Sequence, residues 1–377
     1  MALTHHDKAR TYEAAASDAA RHARSIMEKK IEEGRASAVR LLEHVNTAVP
    51  TDAIVKARAL QFAVSDDVLK VDLGPDARRA IHRHALGQMA DKVGVPGAYV
   101  AELAAGSGWQ KELAAHVLGR HFSEGPVATT RYLARSVGGE VRGFMSDRYR
   151  RLDSRPLLEA FAGACQTIGA VPVDGTVSDT RLALKAFLPM VFEPVPNEVM
   201  CLGLEWANSD FGNGKHTLRA MIWRLWCTNK ATMEDALAQV HLGGRLSDDI
   251  AFSQRTYDLD TRTSVSALTD TVKGLLGPAK VKSLLATIGA ANEKKIEWKS
   301  LKGSLAKKLL KGEMAAVEAA YESEDVINLP AGKSAWRASN AISWIAGKAE
   351  DADRRLELER LAGEIVNGKR DSASAAS

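Results

Sequence analysis

Two runs of sequence decide the predicted fold: residues 198–208 (EVMCLGLEWAN) and residues 217–227 (TLRAMIWRLWC). Both runs are long and alternate as expected for a β-strand whose successive side chains point to opposite faces. The residues between them, 209–216 (SDFGNGKH), are rich in Gly, Asn and Asp, which favour tight turns. We therefore predict an antiparallel hairpin over these residues.

An earlier pair of strands is predicted at residues 128–137 (ATTRYLARSV) and 140–145 (EVRGFM). Gly138 and Gly139 lie between them, and a Gly-Gly dipeptide is typical of the two-residue turns that join antiparallel strands. This segment therefore predicts a second hairpin.

One helix and two more strands are predicted between these hairpins. The helix begins at Pro156 and ends near Gly169, and residues 170–177 and 180–188 follow as strands. Residues 127–228 therefore read β-β-α-β-β-β-β, which predicts a central, mainly antiparallel β-sheet.

The segments on both sides of this sheet are predicted to be mainly helical. From residue 233 to residue 367 the pattern stays helical with no strand signal, and the small polar residues of the end predict a disordered tail. In the N-terminal part the predicted elements are helices over residues 8–46 with a break near Gly34, a small hairpin around residues 65–67, a helix over residues 75–93 capped by Gly94, and a helix over residues 109–118.

The resulting fold class is α+β, with the central sheet flanked by N-terminal and C-terminal helical segments. We predict four parts along the chain. They are a mainly helical region with a small hairpin (1–125), the β-sheet core (126–232), a lysine-rich helical region (233–368) and the tail (369–377).

Composition restricts the class of protein. The chain has 377 residues, a formal net charge of +4 and three widely spaced cysteines, which do not form a disulfide framework and suit a reducing compartment. No apolar signal segment and no run long enough to cross a bilayer are present in the sequence. These features predict a cytoplasmic protein without a membrane partner.

Residues 86–106 (LGQMADKVGVPGAYVAELAAG) read as two helices joined by a tight turn, as in DNA-binding helix-turn-helix motifs. A recognition helix needs side chains that reach base edges, but no Arg or Lys occurs between Lys92 and Lys111. Apolar residues can pack in a small core between the helices: Leu86, Met89, Val93, Val95, Tyr99 and Leu103. We favour a packed corner and keep base recognition as the alternative.

Arginines concentrate in residues 131–155, where seven of them stand against three acidic residues. Arginine binds phosphate through a planar fork, and neighbouring aromatic rings such as Tyr149 can stack on bases. The arginine cluster therefore has two interpretations. It contacts nucleic acid, or it forms a solvated sheet face on which the arginines pair with nearby acidic residues.

Lysines concentrate in residues 273–311, where ten of them stand against two glutamates. This local excess of positive charge is twice the net charge of the whole chain. Lysine-rich helices are often simply solvated, but such an imbalance favours contact with a polyanion. Trp298 lies within the segment and can stack on a base or anchor a helix.

The tip of the hairpin at 209–216 carries further polar residues. Glu205 and Asp210 could bind Mg²⁺ in a nuclease, although Asp210 and its glycine and asparagine neighbours also suit a turn, which we favour. The chain has no phosphate-binding loop, dinucleotide fingerprint, nucleophile elbow or zinc-ligand spacing. We therefore predict no cofactor, no metal, no catalytic residue and no enzymatic activity.

Three segments, 86–103, 143–161 and 202–232, together resemble an uncharacterised family of phage- and plasmid-borne proteins. The family pattern is Ser-Asp-x-Tyr before a helix, Asn-Ser before a turn, and Arg-Leu-x-Cys-Thr-Asn at a strand end. In this chain it falls on Ser146, Asp147, Tyr149, Asn208, Ser209, Gly212, Arg224, Leu225, Cys227, Thr228 and Asn229. Lys230 departs from the pattern, which usually has Gly there.

The order of elements also bears a more distant likeness to phage single-strand annealing proteins. That likeness implies DNA binding in a basic groove along the sheet, assembly into rings or filaments, and a phage exonuclease or host single-strand binding protein as partner.

We accordingly predict an ATP-independent protein of a phage or mobile element that binds and anneals single-stranded DNA during recombination, in the cytoplasm of a bacterial host cell. The alternatives are a sequence-specific regulator and a metal-dependent nuclease. The predicted nucleic-acid contacts are Arg131, Arg135, Arg142, Arg148, Tyr149, Arg150, Arg151, Lys215, Arg219, Trp223, Lys294, Lys295, Lys299, Lys307 and Lys308.

Overall fold

The computed structural model describes residues 18–74, 78–195, 198–224, 229–239, 253–323 and 329–368. The described helices are α1 (Asp18–Thr47), α2 (Arg83–Val93), α3 (Gly97–Ala105), α4 (Gly108–Glu124), α5 (Ser154–Ile168), α6 (Gln254–Leu275), α7 (Pro278–Glu293), α8 (Trp298–Leu305), α9 (Lys311–Glu322), α10 (Ala335–Ala346) and α11 (Ala352–Val366). The described strands are β1 (Thr51–Lys56), β2 (Gln61–Ser65), β3 (Val68–Asp72), β4 (Arg78–Ile81), β5 (Arg131–Val137), β6 (Glu140–Ser146), β7 (Val171–Val177), β8 (Leu182–Phe187), β9 (Phe192–Val195), β10 (Glu198–Asn208), β11 (His216–Arg224) and β12 (Asn229–Gln239).

The first six strands form sheet A, in the order β1-β5-β6-β4-β3-β2. Five residue steps separate the end of β1 from the start of β2 and can reach at most about 18 Å. Six strands laid flat would place these two edges about 24 Å apart. Sheet A is therefore curled, and Phe122 of α4 packs among Phe62, Tyr132 and Phe144 inside the curl.

The remaining strands form sheet B, in the order β12-β11-β10-β8-β7, with β9 paired to β10. The predicted hairpin is confirmed: β10 and β11 pair antiparallel in one continuous register that includes Trp206 opposite Leu218. Every second residue of a strand faces the same side of the sheet. The alternating side chains of β10 and β11 therefore pack into two different layers, one on each face of sheet B.

One face of sheet B carries the larger core. Trp206 stacks on Phe161 of α5 with ring centroids 6.4 Å apart, and α6, α7 and α10 add further apolar side chains to the same cluster. On the opposite face, Met27 of α1 packs beside Cys201 at one end, and Leu356 of α11 packs on Ala183 and Ala207 at the other. Sheet B is thus a buried layer between helices.

The α+β class and the flanking helices are confirmed, and two details of the predicted centre are corrected. The strands of 127–228 do not form one sheet, because the hairpin of β5 and β6 belongs to sheet A and the later strands to sheet B. The predicted region without strands also begins too early, since β12 extends the sheet to Gln239.

Two predicted helices also differ from the structure. The helix placed over residues 75–93 begins only at Arg83, after β4, and the side chain of His82 accepts a hydrogen bond from the backbone of His84 at its start. Gly34 does not break α1; a Cβ atom there would lie 2.4 Å from the Cα of Val173, so glycine allows the helix to lie against β7.

Some predictions lie outside the described residues. These are the first residues of two predicted helices, 8–17 and 75–77, the motif positions Leu225, Cys227 and Thr228, and the tail 369–377. Among the helices that the structure describes, none combines the length and the apolar character needed to cross a bilayer.

Candidate nucleic-acid interface

Six of the seven arginines of residues 131–155 are held by carboxylates. The Nε of Arg131 lies 3.0 Å from Asp147, the Nε of Arg142 lies 3.2 Å from Glu140, and Arg150 binds both carboxylate oxygens of Asp260 on α6. Arg151 lies 3.2 Å from Asp52, and its guanidinium lies over the ring of Tyr257. Arg155 pairs with Glu159. Arg148 also has an interaction partner. This positive charge is largely neutralised within the protein.

Arg135 is the centre of a buried junction between the two sheets. Only 2% of this residue is exposed, and its guanidinium lies 2.7 Å from Asp52 on β1 and 2.7 Å from Asp153 beside α5. It also donates a hydrogen bond of 3.0 Å to the backbone carbonyl of Asp210, in the turn between β10 and β11. Arg135 therefore joins sheet A to the turn of sheet B.

The same turn is fixed by further hydrogen bonds. The Asp210 carboxylate accepts from the backbone N–H and the hydroxyl of Ser154, both at 2.8 Å, and the amide of Asn208 donates to the carbonyl of Leu152 at 2.7 Å. The carbonyl of Phe211 accepts from Gln88 of α2 at 3.0 Å. Asn208, a position of the resemblance pattern, therefore belongs to a structural joint together with Asp210 and Ser154.

Burial changes the acidity of two groups in this joint. It raises the pKa of Asp210 to about 6, against the opposing effects of the Arg135 guanidinium and of the hydrogen bonds from Ser154. It also raises the pKa of Tyr149, whose hydroxyl lies 3.4 Å from the carbonyl of Ser209. Asp210 thus changes charge close to neutral pH.

A row of charged residues crosses the face of sheet B that is opposite Trp206 and is covered by α11. Lys185 lies opposite Asp174 and Glu205 in the strand registers, and Glu205 lies opposite Arg219. The Lys185 ammonium is 2.5 Å from Glu359 of α11 and 3.7 Å from Glu205, whose other oxygen is 3.2 Å from Arg219. This buried row binds α11 to the sheet.

The structure therefore corrects four of the predicted nucleic-acid contacts. Arg135, Arg219 and the rings of Tyr149 and Trp223 are buried, so none of them presents a surface on which a strand could lie. Trp223 packs against Phe187 instead, with ring centroids 5.3 Å apart. Guanidinium groups and rings at these positions stabilise the fold.

The two carboxylates of the nuclease alternative, Glu205 and Asp210, are both engaged by other side chains of the protein. Glu205 is bound by Lys185 and Arg219, whereas Asp210 is held by Ser154. Within the described part of the chain, no group of three or more His, Cys, Asp or Glu side chains is placed to hold a metal ion.

The helix-turn-helix-like stretch is a packed corner, as predicted. Leu86, Met89 and Leu103 are buried in the core of sheet A, and Gly94 has a φ of 71° at the end of α2. Tyr99 is the exception, because it is 47% exposed and outside this core. The two helices are therefore placed by packing.

The lysines of residues 273–311 lie in a different environment. Lys294, Lys295, Lys299, Lys307 and Lys308 are all exposed. Lys302 pairs with Glu318 at 2.7 Å, but across the described ranges Lys295, Lys299, Lys307 and Lys308 have no carboxylate within 4 Å. Trp298 is buried on Tyr321 and anchors α8, so its ring is not a base platform. Lys215, in the β10–β11 turn, is exposed as well.

Two basic residues, Arg354 and Arg360, were missed by the sequence analysis. A cleft of about 230 Å³ brings Lys307 and Lys308 beside Arg354 and Arg360 of α11. The two arginines follow the lysines by more than forty residues among many acidic neighbours, so no local charge pattern marks them. Only the folded arrangement of α8, α9 and α11 reveals the cleft.

Comparison of the chain with protein-family models, with curated proteins and with solved structures gives no significant match in any of the three.

Proposed function

We propose that this chain is an ATP-independent nucleic-acid-binding protein that binds single-stranded DNA and brings complementary strands together. The observation that supports this function best is the exposure of Lys295, Lys299, Lys307 and Lys308, on α8 and the connections on either side of it, which have no carboxylate partner within the described ranges. Unpaired ammonium groups can neutralise phosphates and release their counterions. We place the interface on these lysines and not on the arginine hairpin.

The mechanism needs no covalent step. Lysines that follow the backbone would leave the bases exposed, and base pairing between two held strands would supply the driving force for annealing. Exposed apolar side chains at the end of α1 and on β1, including Leu42, Val49 and Ile54, suit contact with a second copy of the chain. Several copies along one strand would form a ring or filament.

The experiment is a salt titration of binding to a fluorescent single-stranded oligonucleotide. Affinity should fall steeply with salt, and the variant K294Q/K295Q/K299Q should reduce the slope of log K against log salt by about 2. The matched control, K29Q/K30Q/K92Q, removes three lysines of α1 and α2 and should leave the slope unchanged. Absence of binding at low salt would refute the function.

Annealing is tested separately, by energy transfer between two complementary labelled strands without ATP. We expect the native chain to accelerate pairing and the interface variant to lose most of this acceleration. Electron microscopy with single-stranded DNA should then show rings or filaments. Binding without accelerated pairing would retain the nucleic-acid interface and reject annealing.

A further inference from the structure

The cleft between the α8–α9 connection and α11 is held together on one side by the hydrogen bonds of Arg354. Arg354 donates to Glu313 at 2.9 Å, to Glu357 at 2.7 Å and to the backbone carbonyl of Lys308 at 2.7 Å. Because one guanidinium joins α9, α11 and the connection, the positions of the surrounding groups are fixed before any ligand binds.

Charges in the cleft fall into two kinds. Arg354 and Arg360 each have a glutamate neighbour, with Arg360 3.8 Å from Glu364. The ammonium groups of Lys307 and Lys308 are exposed and, within the described ranges, have no such neighbour. Two positive charges are thus left for a ligand.

The size and the charges of the cleft restrict that ligand. A volume of about 230 Å³ is below the roughly 300 Å³ at which pockets for drug-sized molecules begin. A phosphomonoester carries close to two negative charges at neutral pH, which match the two lysines, whereas an internal phosphodiester carries one. Glu357 and Glu364 also line the cleft, beside Arg354 and Arg360, so the two lysines are the groups left to bind a phosphate.

We propose that this cleft binds the terminal phosphate of a DNA strand. The inference rests on the proposed function, since it takes the ligand to be a strand end delivered by the neighbouring lysines. It adds an activity that strand annealing does not require, namely discrimination between phosphorylated and unphosphorylated ends.

The test compares two single-stranded oligonucleotides of one sequence, each labelled at its 3′ end, with either a 5′-phosphate or a 5′-hydroxyl. We expect the native chain to bind the phosphorylated strand roughly ten-fold more tightly, the scale of one charge-assisted contact. The preference should vanish in K307Q/K308Q and persist in K29Q/K30Q, which removes two adjacent lysines of α1. It should also shrink below about pH 6, where the phosphate binds its second proton.

The outcomes separate this proposal from the function on which it rests. Equal binding of both strands, or a preference that survives K307Q/K308Q, would reject recognition of the strand end while leaving the proposed function intact. Failure of both strands to bind would reject the proposed function itself. If a free 5′-mononucleotide competes as strongly as the phosphorylated strand, the ligand is a free nucleotide and the strand-end proposal is overturned.

Discussion

The arginine segment 131–155 and the lysine segment 273–311 both have a marked excess of positive charge in sequence, yet they have opposite positions in the fold. Arginines of the first segment reach carboxylates far away along the chain, such as Asp52 and Asp260. All the lysines of the second segment except Lys280 are exposed to solvent. A local count of charges therefore does not distinguish a structural ion pair from a surface that can bind a polyanion.

The residue types fit this division. A guanidinium presents several donors in one plane, so it can bind two carboxylates and a carbonyl at once, as Arg135 does. An ammonium on a flexible chain is strongly hydrated and remains at the surface more easily. Arg135 thus stabilises the joint between the sheets. In contrast, Lys295, Lys299, Lys307 and Lys308 are exposed and, in the part of the chain that the structure describes, have no carboxylate partner.

The largest effect that would test this comparison is expected from R135M. Removing the buried guanidinium leaves Asp153 without this partner, leaves Asp52 with Arg151 alone and removes the hydrogen bond to the Asp210 carbonyl. Breaking a buried pair typically costs about 3–5 kcal/mol. Denaturant unfolding should show this loss in the free energy of unfolding. R135K, which retains the charge without the planar fork, should recover part of it. A cost below about 1 kcal/mol for R135M would show that the joint does not depend on this residue.

A second, smaller effect concerns pH and Asp210. Because burial raises its pKa to about 6 in the folded protein, the folded state holds this proton more tightly than the unfolded state. The associated stability is present at pH 4 and is lost as pH rises to about 6. We expect D210N, which cannot ionise, to gain on the order of 1–3 kcal/mol relative to the native chain between pH 4 and pH 7. Parallel stability curves of the two proteins would contradict the raised pKa.

Much of the fold could be predicted because its signals are local. The glycines at 138 and 139, with φ of 59° and 84°, mark the predicted turn between β5 and β6, and alternation marks β10 and β11. The division into two sheets could not be predicted in this way, since strand pairing between β1 and β5 joins residues about eighty positions apart. Local patterns identify strands but do not assign their neighbours.

The candidate site shows the same limit. Exposure of Lys299 and Lys308 follows from helical patterning in a lysine-rich segment, and it could be anticipated. Burial of Trp223 and Arg219 could not, because helices from both ends of the chain cover sheet B. If helices covered only one face of sheet B, these side chains would be exposed on the other. Local sequence patterns do not show how many faces of a sheet are covered by helices.

The smallest expected effect is that of R155Q, at the end of the same arginine segment. Arg155 and Glu159 form an exposed pair one helical turn apart, with side chains 57% and 61% accessible, and such pairs contribute about 0.3–0.5 kcal/mol. R155Q should therefore change the free energy of unfolding by no more than about 0.5 kcal/mol, as should K299Q in the lysine segment. Denaturant unfolding at low and high salt measures both. If R155Q instead cost as much as R135M, the arginines would act through their summed charge, and burial would no longer explain why the two basic segments differ.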